Sequence, residues 1–443
     1  MFKGKRWTPL LFCLVLLITG WLAMDQVSRP LAAEAKPDSD YQELELFTDV
    51  LSIIRRSYVE EKDMKDLIYG AINGMLASLD PHSSFMPPEM FKEMKIDTKG
   101  EFGGLGIEIT IRDGLLTIVA PIEDTPAFRA GLQAGDQILK IEDRLTKDMS
   151  IMEAVDLMRG PAGSDISITV MRDSFEKPKV FTLKREIIQI KSVKSKTLED
   201  GFGYVRIVQF QERTAEDLQA ALTALRAENQ DHKLQGLILD LRNNPGGLLD
   251  QAVKVSDTFI KDGLIVYTEG REQGSQMKFS AHDRGTEPDY PLVVLINGGS
   301  ASASEIVAGA LQDHHRALVL GTQSFGKGSV QTIIPLSDDS GLRLTTARYF
   351  TPNGTSIQAR GITPDIVVQQ GEVKEVKEGM HFREKDLNHH FESMPPAENP
   401  KAPKNQHQFN PSEEDRQDYQ LMRALDLLKG WQIFEGLKPQ QAA

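Results

Sequence analysis

The first part of the chain has the hydrophobic spacing of amphipathic helices. Leu46, Val50, Ile53 and Ile54 recur every three or four residues, and a second stripe of the same kind follows them. Polar residues occupy the intervening positions. The pattern predicts an N-terminal helical segment over residues 41–96.

Short strands and tight turns replace this pattern from about residue 100 to residue 184. The letters GGLGI lead into a stretch, residues 108–111, in which polar and apolar side chains alternate, and an Asp-Gly turn separates it from a second apolar run. A short helix at 150–158 and a further strand follow. The spacing predicts a small module built mainly from strands.

Strands and helices alternate from residue 200 to residue 350. Apolar runs at 237–240 and 292–296 read as buried strands, and helical patterns follow them at 249–260 and 304–312. Such alternation implies a sheet covered by helices, with ligands bound at the strand ends. We therefore expect an α/β multidomain fold with helical N- and C-terminal segments.

The extreme N-terminus has the pattern of an export signal. Lys3, Lys5 and Arg6 precede an uncharged, mainly apolar run over residues 10–24, which is short for a membrane-spanning helix. Residues 1–35 are therefore expected to be a signal peptide or a retained membrane anchor. Either case places the rest of the chain outside the cytoplasm.

The C-terminal part, residues 376–443, combines a linker with a predicted helix. The linker is rich in Pro, Asn, Lys and Gln, and Ser412 followed by three acidic residues is typical of a helix start. Apolar residues then follow at helical spacing: Leu421, Ala424, Leu425, Leu428 and Trp431. This helix either packs on its own domain or mediates oligomerisation or docking of a partner.

Composition narrows the classes of function. The 443 residues include 51 Lys and Arg against 64 Asp and Glu, a net charge of −13 that disfavours nucleic-acid binding. Cys13 is the only cysteine, which excludes an internal disulfide and a thiolate zinc site. The nine histidines show no HExxH spacing. Histidine and carboxylate side chains still offer ligands for a metal, but no motif in the sequence predicts a metal site or a cofactor.

The stretch NGGSASASE, residues 297–305, is the most unusual candidate for chemistry. It lies between a predicted buried strand and a helix, and its glycines and small residues let backbone and substrate approach closely. A serine at such a junction is presented near the positive end of the helix. Ser300, Ser302 and Ser304 all fit a nucleophile, and a serine-rich helix cap is the alternative.

Lys327 lies in the segment GTQSFGKG at 321–328, which has the spacing of a phosphate loop. Gly328 stands where that loop needs Ser or Thr, and a strand rather than a helix follows. A base is the better assignment, because burial beside apolar residues such as Phe325 would lower the lysine pKa from about 10.4. In an extended strand Gln331 would share its face and hold the amine; a surface lysine is the alternative.

Three other segments contain candidate groups. A Pro-Gly-Gly turn ends the core strand in LDLRNNPGG, residues 239–247, and its amides are suited to one half of an oxyanion hole or to a structural turn. Asp80 and His82 suggest a catalytic pair, but the intervening proline favours a capped turn. His314 or His315 would make a His-dependent hydrolase, although both follow the helix that carries the serines.

Taken together, these segments resemble the carboxyl-terminal processing proteases, also called tail-specific proteases. The likeness spans about residues 45–375 and rests on short motifs in a fixed order: LDPHSS at 79–84, GLGI at 104–107, RGPAGS at 159–164, DLRNNPGG at 240–247, SASASE at 300–305, FGKGSVQ at 325–331, FTPNG at 350–354 and GITPD at 361–365. No single motif is specific, but the ordered set is.

The resemblance implies a Ser-Lys serine endopeptidase without a cofactor. The family motifs assign the nucleophile to Ser302, the base to Lys327 and a supporting amide to Gln331. They also imply an oxyanion hole made by the amide of Ala303 and by a glycine of the Pro-Gly-Gly turn. We favour Gly246 for the second amide, with Gly247 as the alternative.

The resemblance further implies a PDZ domain at 97–187 and a protease core at 188–375. A PDZ domain binds a terminal carboxylate with the backbone amides of a glycine-rich loop, while the peptide pairs with a strand edge. The residues expected around a bound tail are Gly104, Leu105, Gly106, Ile107, Ile109, Val155 and Met158. Arg159 lies where family members have a basic residue that links this domain to the active site.

The expected function is an exported serine endopeptidase that recognises protein substrates by free, apolar C-terminal tails. An adaptor protein and further copies of the chain, joined through the terminal helices, are the other partners that we consider; nucleic acid is not one. A catalytically silent PDZ scaffold of the cell envelope is the alternative from another class.

Overall fold

The computed structural model describes residues 39–199, 201–229, 233–272, 274–371, 383, 386, 390–391 and 412–437. The predicted export segment lies outside these residues. Among the helices of the described ranges, none combines the length and the apolar character that crossing a membrane requires. The described residues divide into two compact units, with the boundary between Leu79 and Asp80.

The first unit contains the two helices that the hydrophobic spacing predicts, α1 (Ser39–Ser57) and α2 (Met64–Ala77). Asp63 caps α2 by accepting a hydrogen bond from the Lys65 amide at 2.8 Å. The predicted apolar stripe on α1 is exposed, with 37–59% of the surface of Leu46, Val50, Ile53 and Ile54 accessible. An exposed stripe of this kind is typical of a surface that contacts another protein.

The second unit begins with β1 (Ser84–Met86) and α3 (Pro88–Lys99), which lead into a small, mainly antiparallel module. Its elements are β2 (Glu101–Gly104), β3 (Ile107–Arg112), β4 (Leu115–Pro121), α4 (Pro126–Arg129), β5 (Gln137–Ile141), β6 (Arg144–Leu145), α5 (Ile151–Met158), β7 (Asp165–Met171), β8 (Lys179–Lys184) and β9 (Glu186–Gln189). The sheet order is β3-β4-β5-β7-β8, and β2 pairs with β9. Strand β3 is therefore an edge strand, next to α5.

A six-stranded, mainly parallel sheet forms the centre of the unit. Its strands, in the order in which they pair, are β10 (Val193–Glu199), β11 (Phe202–Ile207), β12 (Gly236–Asp240), β15 (Leu292–Ile296), β16 (Leu318–Gly321) and β19 (Ile366–Val367). Helices α6 (Thr214–Glu228), α7 (Leu249–Phe259) and α8 (Ala303–Asp313) belong to one core cluster with Val294, whereas Val293 belongs to the cluster on the other face. The sheet is therefore buried on both faces, as parallel sheets usually are.

A second sheet combines β13 (Leu264–Gly270), β14 (Met277–Ser280), β17 (Ser329–Pro335) and β18 (Gly341–Phe350) with β1. Strands β17 and β18 form a hairpin, and β1 pairs with β18 through Ser84 opposite Arg343. This pairing brings the LDPHSS segment beside the hairpin that follows Lys327.

The C-terminal helices α9 (Glu413–Gln417) and α10 (Tyr419–Leu437) pack on the central sheet. Ser412 caps α9, and four of the five predicted apolar positions are buried against the sheet: Leu421, Ala424, Leu425 and Leu428. Trp431 remains 54% exposed. The first turns of α10 therefore pack on their own domain, and the last turns present an apolar surface.

Candidate active site

Ser302 lies at the junction of β15 and α8, in the N-cap position of α8. Its backbone has φ 54° and ψ −110°, a region that serine rarely adopts and that costs roughly 1–3 kcal/mol. Strand-to-helix junctions with this geometry present a nucleophile at the end of a sheet. The hydroxyl oxygen lies 3.4 Å from the Tyr349 hydroxyl.

The hydrogen bonds of the three candidate serines differ. The Ser300 hydroxyl donates to the Leu241 carbonyl at 2.8 Å, and the Ser304 hydroxyl donates to the Asn244 carbonyl at 3.0 Å. Both side chains are fully buried and hold the loop to the Pro-Gly-Gly segment. Among the described residues, Ser302 is thus the serine of this motif whose hydroxyl is not used by a backbone carbonyl.

Glu305 joins the serine loop to the lysine loop. One carboxylate oxygen accepts hydrogen bonds from the amides of Ser302 at 2.7 Å and Lys327 at 2.9 Å. The other accepts from the Ser324 hydroxyl and the Gly326 amide, both at 2.6 Å. Sequence reasoning gave this residue no role, although a carboxylate in the first turn of a helix of small and apolar residues was the available signal.

The same hydrogen bonds argue against the phosphate loop. A phosphate loop cradles its ligand with backbone amides that are free to donate. Here the amides of Gly326 and Lys327 already donate to the Glu305 carboxylate, and β17 follows the loop as the sequence suggested. A phosphate would face a buried negative charge.

Lys327 is half-buried just before β17 begins. Burial and the charge of Arg343 lower its pKa below the usual value, while Asp80 and Glu305 oppose the shift. Nζ makes no hydrogen bond or ion pair within the described part of the chain. Phe325, expected to help bury the amine, is itself 62% exposed.

Gln331 lies in β17, opposite Thr345 in β18. Its Nε2 donates to Thr345 Oγ1 at 2.8 Å and to Ser329 Oγ at 3.3 Å, whereas its buried Oε1 has no partner among the residues that the structure describes. The premise of a regular strand from Lys327 to Gln331 is wrong, because the strand starts two residues after Lys327 and the register shifts just before Gln331.

The Pro-Gly-Gly turn packs directly against Ser302. A Cβ atom added to Gly246 would lie 2.8 Å from Ser302 Cβ and 3.0 Å from the Ala303 nitrogen. The Gly246 amide donates to Asn244 Oδ1 at 2.9 Å. Within the described ranges the amides of Gly247 and Ala303 have no acceptor.

Neither His314 nor His315 is placed to complete a triad with Ser302. His314 follows the C-terminal end of α8, an 11-residue helix about 16 Å long, and its Nε2 lies 2.7 Å from the Leu264 carbonyl oxygen.

The capped turn predicted at Asp80 is confirmed, since its Oδ1 accepts hydrogen bonds from the amides of His82 at 2.7 Å and Ser83 at 2.9 Å. The described residues contain no cluster of potential metal ligands.

The predicted tail-binding residues line one small cavity of about 100 Å³ between β3 and α5. It is formed by Phe102, Gly104, Leu105, Gly106, Ile107, Ile109, Val155, Met158 and Arg159. Gly106 has φ 75°, and a Cβ atom there would lie 2.3 Å from the Thr125 side chain. The amides of Leu105 and Gly106 donate no hydrogen bond within the described chain.

Arg159 closes one end of this cavity. Its guanidinium pairs with the Glu93 carboxylate of α3 at 2.5 Å and lies 4.8 Å from the centre of the Phe102 ring. The structure therefore connects Arg159 to the helix that precedes the module. No hydrogen bond or ion pair joins it to Ser302 or Lys327 in the described residues.

Comparison with protein families gives three matches that follow the order of these elements. The model of peptidase family S41 matches residues 201–368, that of a PDZ domain matches residues 117–172, and that of the activating protease CtpB N-terminal domain matches residues 18–90. The first match contains Ser302 and Lys327, and the second contains α5 with Val155.

Several curated proteins are similar over most of their length. A carboxy-terminal-processing protease of Bartonella bacilliformis is 55% identical over 330 residues, covering 74% of this chain and 76% of that protein. A carboxyl-terminal-processing protease of Synechocystis sp. is 40% identical, covering 72% and 75%. Among solved structures, a photosystem II D1 C-terminal processing protease is 32% identical, with a TM-score of 0.43 and coverage of 74% and 93%.

Proposed function

Because the chain belongs to the carboxy-terminal processing proteases of peptidase family S41, and so is a serine peptidase rather than a silent scaffold, we propose that Ser302 and Lys327 are its nucleophile and base. Ser302 Oγ attacks the carbonyl carbon of the scissile bond, and its proton passes to Lys327 Nζ. The resulting ammonium protonates the leaving amine as the C–N bond breaks. Water then hydrolyses the acyl-enzyme, with Lys327 as base again.

The observation that carries this proposal is the Glu305 carboxylate, which binds the backbone of Ser302 and of Lys327 with the same oxygen. Two loops that are distant in sequence are thereby held at one place. The lowered pKa of Lys327 adds chemical support, because an amine must be neutral to accept the serine proton.

Formation of the dyad requires a change of side-chain partner. In the structure the Ser302 hydroxyl lies beside Tyr349, and Lys327 Nζ makes no hydrogen bond to it. Burial raises the pKa of Tyr349, so the phenol stays neutral and cannot replace lysine as the base. We propose that the Ser302 and Lys327 side chains rotate to form the hydrogen bond between hydroxyl and amine.

For the oxyanion hole we propose the amides of Ala303 and Gly247. Both lack an acceptor within the described residues, and the Ala303 amide is at the positive end of α8. Gly246, the residue that the sequence favoured, supplies the close approach to Ser302, while its own amide is bound to Asn244. Moving that amide to the substrate would break the turn's internal hydrogen bond.

We further propose that the cavity beside Gly104–Ile107 binds free C-terminal tails of protein substrates. The unpaired amides of Leu105 and Gly106 suit a carboxylate, and edge strand β3 suits an added peptide strand. A cavity of about 100 Å³ favours a small apolar terminal side chain. The two functions together make a protease that selects substrates by their tails.

The location and assembly of the enzyme are also part of the proposal. The basic, apolar N-terminus supports export to the periplasm or cell envelope, either as a cleaved signal or as an anchor. The exposed apolar residues of α1 and of the last turns of α10 support a homo-oligomer through the terminal helices. An adaptor protein remains a prediction that rests on the family resemblance alone.

The dyad is tested by the cleavage of a peptide substrate by purified variants. Ser302→Ala and Lys327→Ala should each abolish cleavage while the thermal unfolding midpoint changes little. The double variant His314→Ala/His315→Ala should keep most of the activity, because both residues are remote from Ser302. Near-full activity of Lys327→Ala, or a loss above about 100-fold in the histidine double variant, would contradict the dyad.

A further inference from the structure

The LDPHSS turn, which has no role in the reaction described above, lies at the end of a hydrogen-bond chain that reaches Gln331. We propose that Asp80 is a positioning residue of the active site, and that it acts through Ser83 and Thr345 to orient the Gln331 amide so that its carbonyl oxygen is left for the Lys327 amine. The inference rests on the proposed Ser302–Lys327 dyad. It adds a residue that positions the dyad although it is more than 200 residues away in the sequence.

The chain begins at a group that can only accept hydrogen bonds. Asp80 Oδ2 accepts from the Ser83 hydroxyl at 2.7 Å, and Oδ1 accepts from two amides of the turn. Burial raises the pKa of Asp80, but hydrogen bonds from Ser83, His82 and Thr345 outweigh it and lower the pKa to about 2. The carboxylate is therefore ionised near neutral pH and has no proton to donate.

An acceptor-only group at one end sets the direction of the hydrogen bonds that follow. Since the single hydrogen of the Ser83 hydroxyl points to Asp80, its lone pairs face β18. They accept from the Thr345 amide at 3.2 Å, and Thr345 Oγ1 lies 3.5 Å from Ser83 Oγ. The Thr345 hydroxyl donates one of the hydrogen bonds that lower the pKa of Asp80, so its hydrogen is directed towards that carboxylate and the lone pairs of Oγ1 face Gln331.

Those lone pairs select one of the two orientations of the Gln331 amide. Nε2 must face Thr345, and it donates to Oγ1 at 2.8 Å across the pair that joins the two strands. Oε1 consequently points away, and it is buried without a partner in the described chain. A buried carbonyl oxygen without a donor is unfavourable, so this position is suited to receive one.

Lys327 is the donor that fits. Its Nζ makes no hydrogen bond within the described residues, and the charged groups that act on it are Arg343, Asp80 and Glu305. Glu305 is occupied by four donors of the loops, and the guanidinium of Arg343 lies 3.9 Å from Met86 Sδ on β1. An amine that donates one hydrogen to Gln331 Oε1 keeps its lone pair for the Ser302 proton. The reversed amide would present hydrogens to the lysine and oppose this arrangement.

The test compares Thr345→Val with Thr345→Ser in the full chain, by steady-state cleavage of one peptide. Valine keeps the shape of threonine but cannot accept from Gln331, so kcat should fall about 10–100-fold with KM within about 2-fold. Serine restores the hydroxyl and should recover most of that loss. A fall of both variants to the same level, or full activity of Thr345→Val, would overturn the proposal.

Asp80→Asn should also change the pH dependence of cleavage, which a purely structural role of the turn would leave unchanged. Asparagine can both donate and accept, so it no longer sets the direction of the chain, and the loss of its negative charge lowers the lysine pKa further. We expect kcat to fall at least about 10-fold and the acid limb of the kcat/KM profile to move about 0.5–1 unit to lower pH. Asp339→Asn, an exposed change at the tip of the β17–β18 hairpin, should leave both unchanged.

Two comparisons separate the failure of this inference from the failure of the dyad. Ser83→Ala removes a link of the chain, whereas Ser84→Ala changes its neighbour, for which no side-chain hydrogen bond occurs in the described residues. Three results together would show that only the positioning role of Asp80 is wrong. Lys327→Ala would be inactive, Asp80→Asn would keep the acid limb of the wild-type kcat/KM profile, and Ser83→Ala would have the same kcat as Ser84→Ala. If Lys327→Ala remains active, both the dyad and the positioning role of Asp80 are wrong.

Discussion

Glu305 Oε2 accepts a hydrogen bond from the Lys327 backbone amide at 2.9 Å, and the same oxygen binds the Ser302 amide at 2.7 Å. The carboxylate is almost completely buried and has four donors. Charge-assisted hydrogen bonds of this kind are about twice as strong as neutral ones. Glu305 therefore fixes the relative position of the two loops from which the proposed dyad is built.

Glu305→Gln should inactivate the enzyme without changing the volume of the side chain. In one orientation the NH₂ hydrogens of the glutamine would face the amides of Ser302 and Lys327, and in the other they would face the Gly326 amide, all of which can only donate. At least one hydrogen bond would therefore be lost whichever way the amide points. We expect kcat to fall at least about 100-fold and stability to fall by about 2–4 kcal/mol. Glu216→Gln, an exposed change on α6, is the control. Wild-type kcat in Glu305→Gln would show that the carboxylate does not hold the site.

Gly246→Ala and Gly298→Ala test the close packing at the nucleophile. A Cβ atom at Gly246 would approach Ser302 Cβ to 2.8 Å, and φ 101° disfavours any other residue there. At Gly298 nothing lies within 4 Å of such an atom. Gly246→Ala should therefore lose more than about 100-fold in kcat/KM, and Gly298→Ala less than about 3-fold. Equal activity of the two variants would contradict this packing.

Tyr349→Phe tests whether the phenol takes part in proton transfer. Burial raises the pKa of Tyr349, so the neutral hydroxyl is a poor base, and its 3.4 Å contact with Ser302 is not needed once the dyad forms. We expect kcat to stay within about 3-fold of wild type, with the acid limb of the pH profile unchanged. A loss above about 100-fold would instead assign a catalytic role to the tyrosine.

A pair of peptides with identical sequences, one ending in a free carboxylate and one in an amide, tests tail recognition. Binding is measured to Ser302→Ala, which cannot cleave them. If the amides of Leu105 and Gly106 hold the carboxylate, amidation should weaken binding at least about 10-fold, because hydrogen bonds to a charged group contribute about 1.5–3 kcal/mol. Equal affinities for acid and amide would contradict recognition of the terminus.

The buried Arg242 guanidinium makes the stability of the C-terminal helices depend on pH. Burial raises the pKa of Asp418, but the hydrogen bonds and charge of Arg242 outweigh it and hold that pKa below the usual range. The stabilisation of the folded state by ionised Asp418 is complete above the pKa of about 3.9 that this group has in the unfolded chain. It is lost as the pH falls through the lower pKa of the folded state. Asp418→Asn should cost about 1–3 kcal/mol at pH 7.

Thermal unfolding of Asp418→Asn and of the wild type at two pH values checks the direction of this pH dependence. The difference from wild type should be present at pH 7 and should shrink as the pH is lowered below about 4. Asp426→Asn, which removes an exposed ion pair on the same helix, is the control and should change stability by at most about 0.5 kcal/mol. A difference between Asp418→Asn and wild type that is independent of pH would contradict the linkage.

The α/β core was predictable from the sequence because buried parallel strands leave continuous apolar runs. The run at 292–296 coincides with β15, and the helix expected at 304–312 is observed at Ala303–Asp313. The strands β10 and β13 were not predicted, because their mixed polar and apolar residues fit no single period. The pairing of β1 with β18 joins segments more than 250 residues apart, and no local pattern contains it.

The candidate site was predictable to the level of its motifs but not of its hydrogen bonds. Ser302 and Lys327 were identified by family resemblance, because spacing alone leaves three serines in competition. Glu305 and Thr345 were missed, since their partners lie on other elements and are brought to them only by the fold. The bulge before Gln331 also shows why counting residues along a strand did not establish which side chains share a face.

Chemical replacement of the Lys327 amine is the most direct test of the proposed dyad. Cys13 is the only cysteine of the chain, so a Lys327→Cys variant in a Cys13→Ser background carries one thiol, which 2-bromoethylamine converts into a lysine analogue. We predict that Lys327→Cys is inactive, that alkylation restores cleavage, and that the acid limb moves to lower pH because the thioether lowers the amine pKa. Activity before alkylation, or quantitative alkylation without recovery of cleavage, would contradict Lys327 as the base for Ser302.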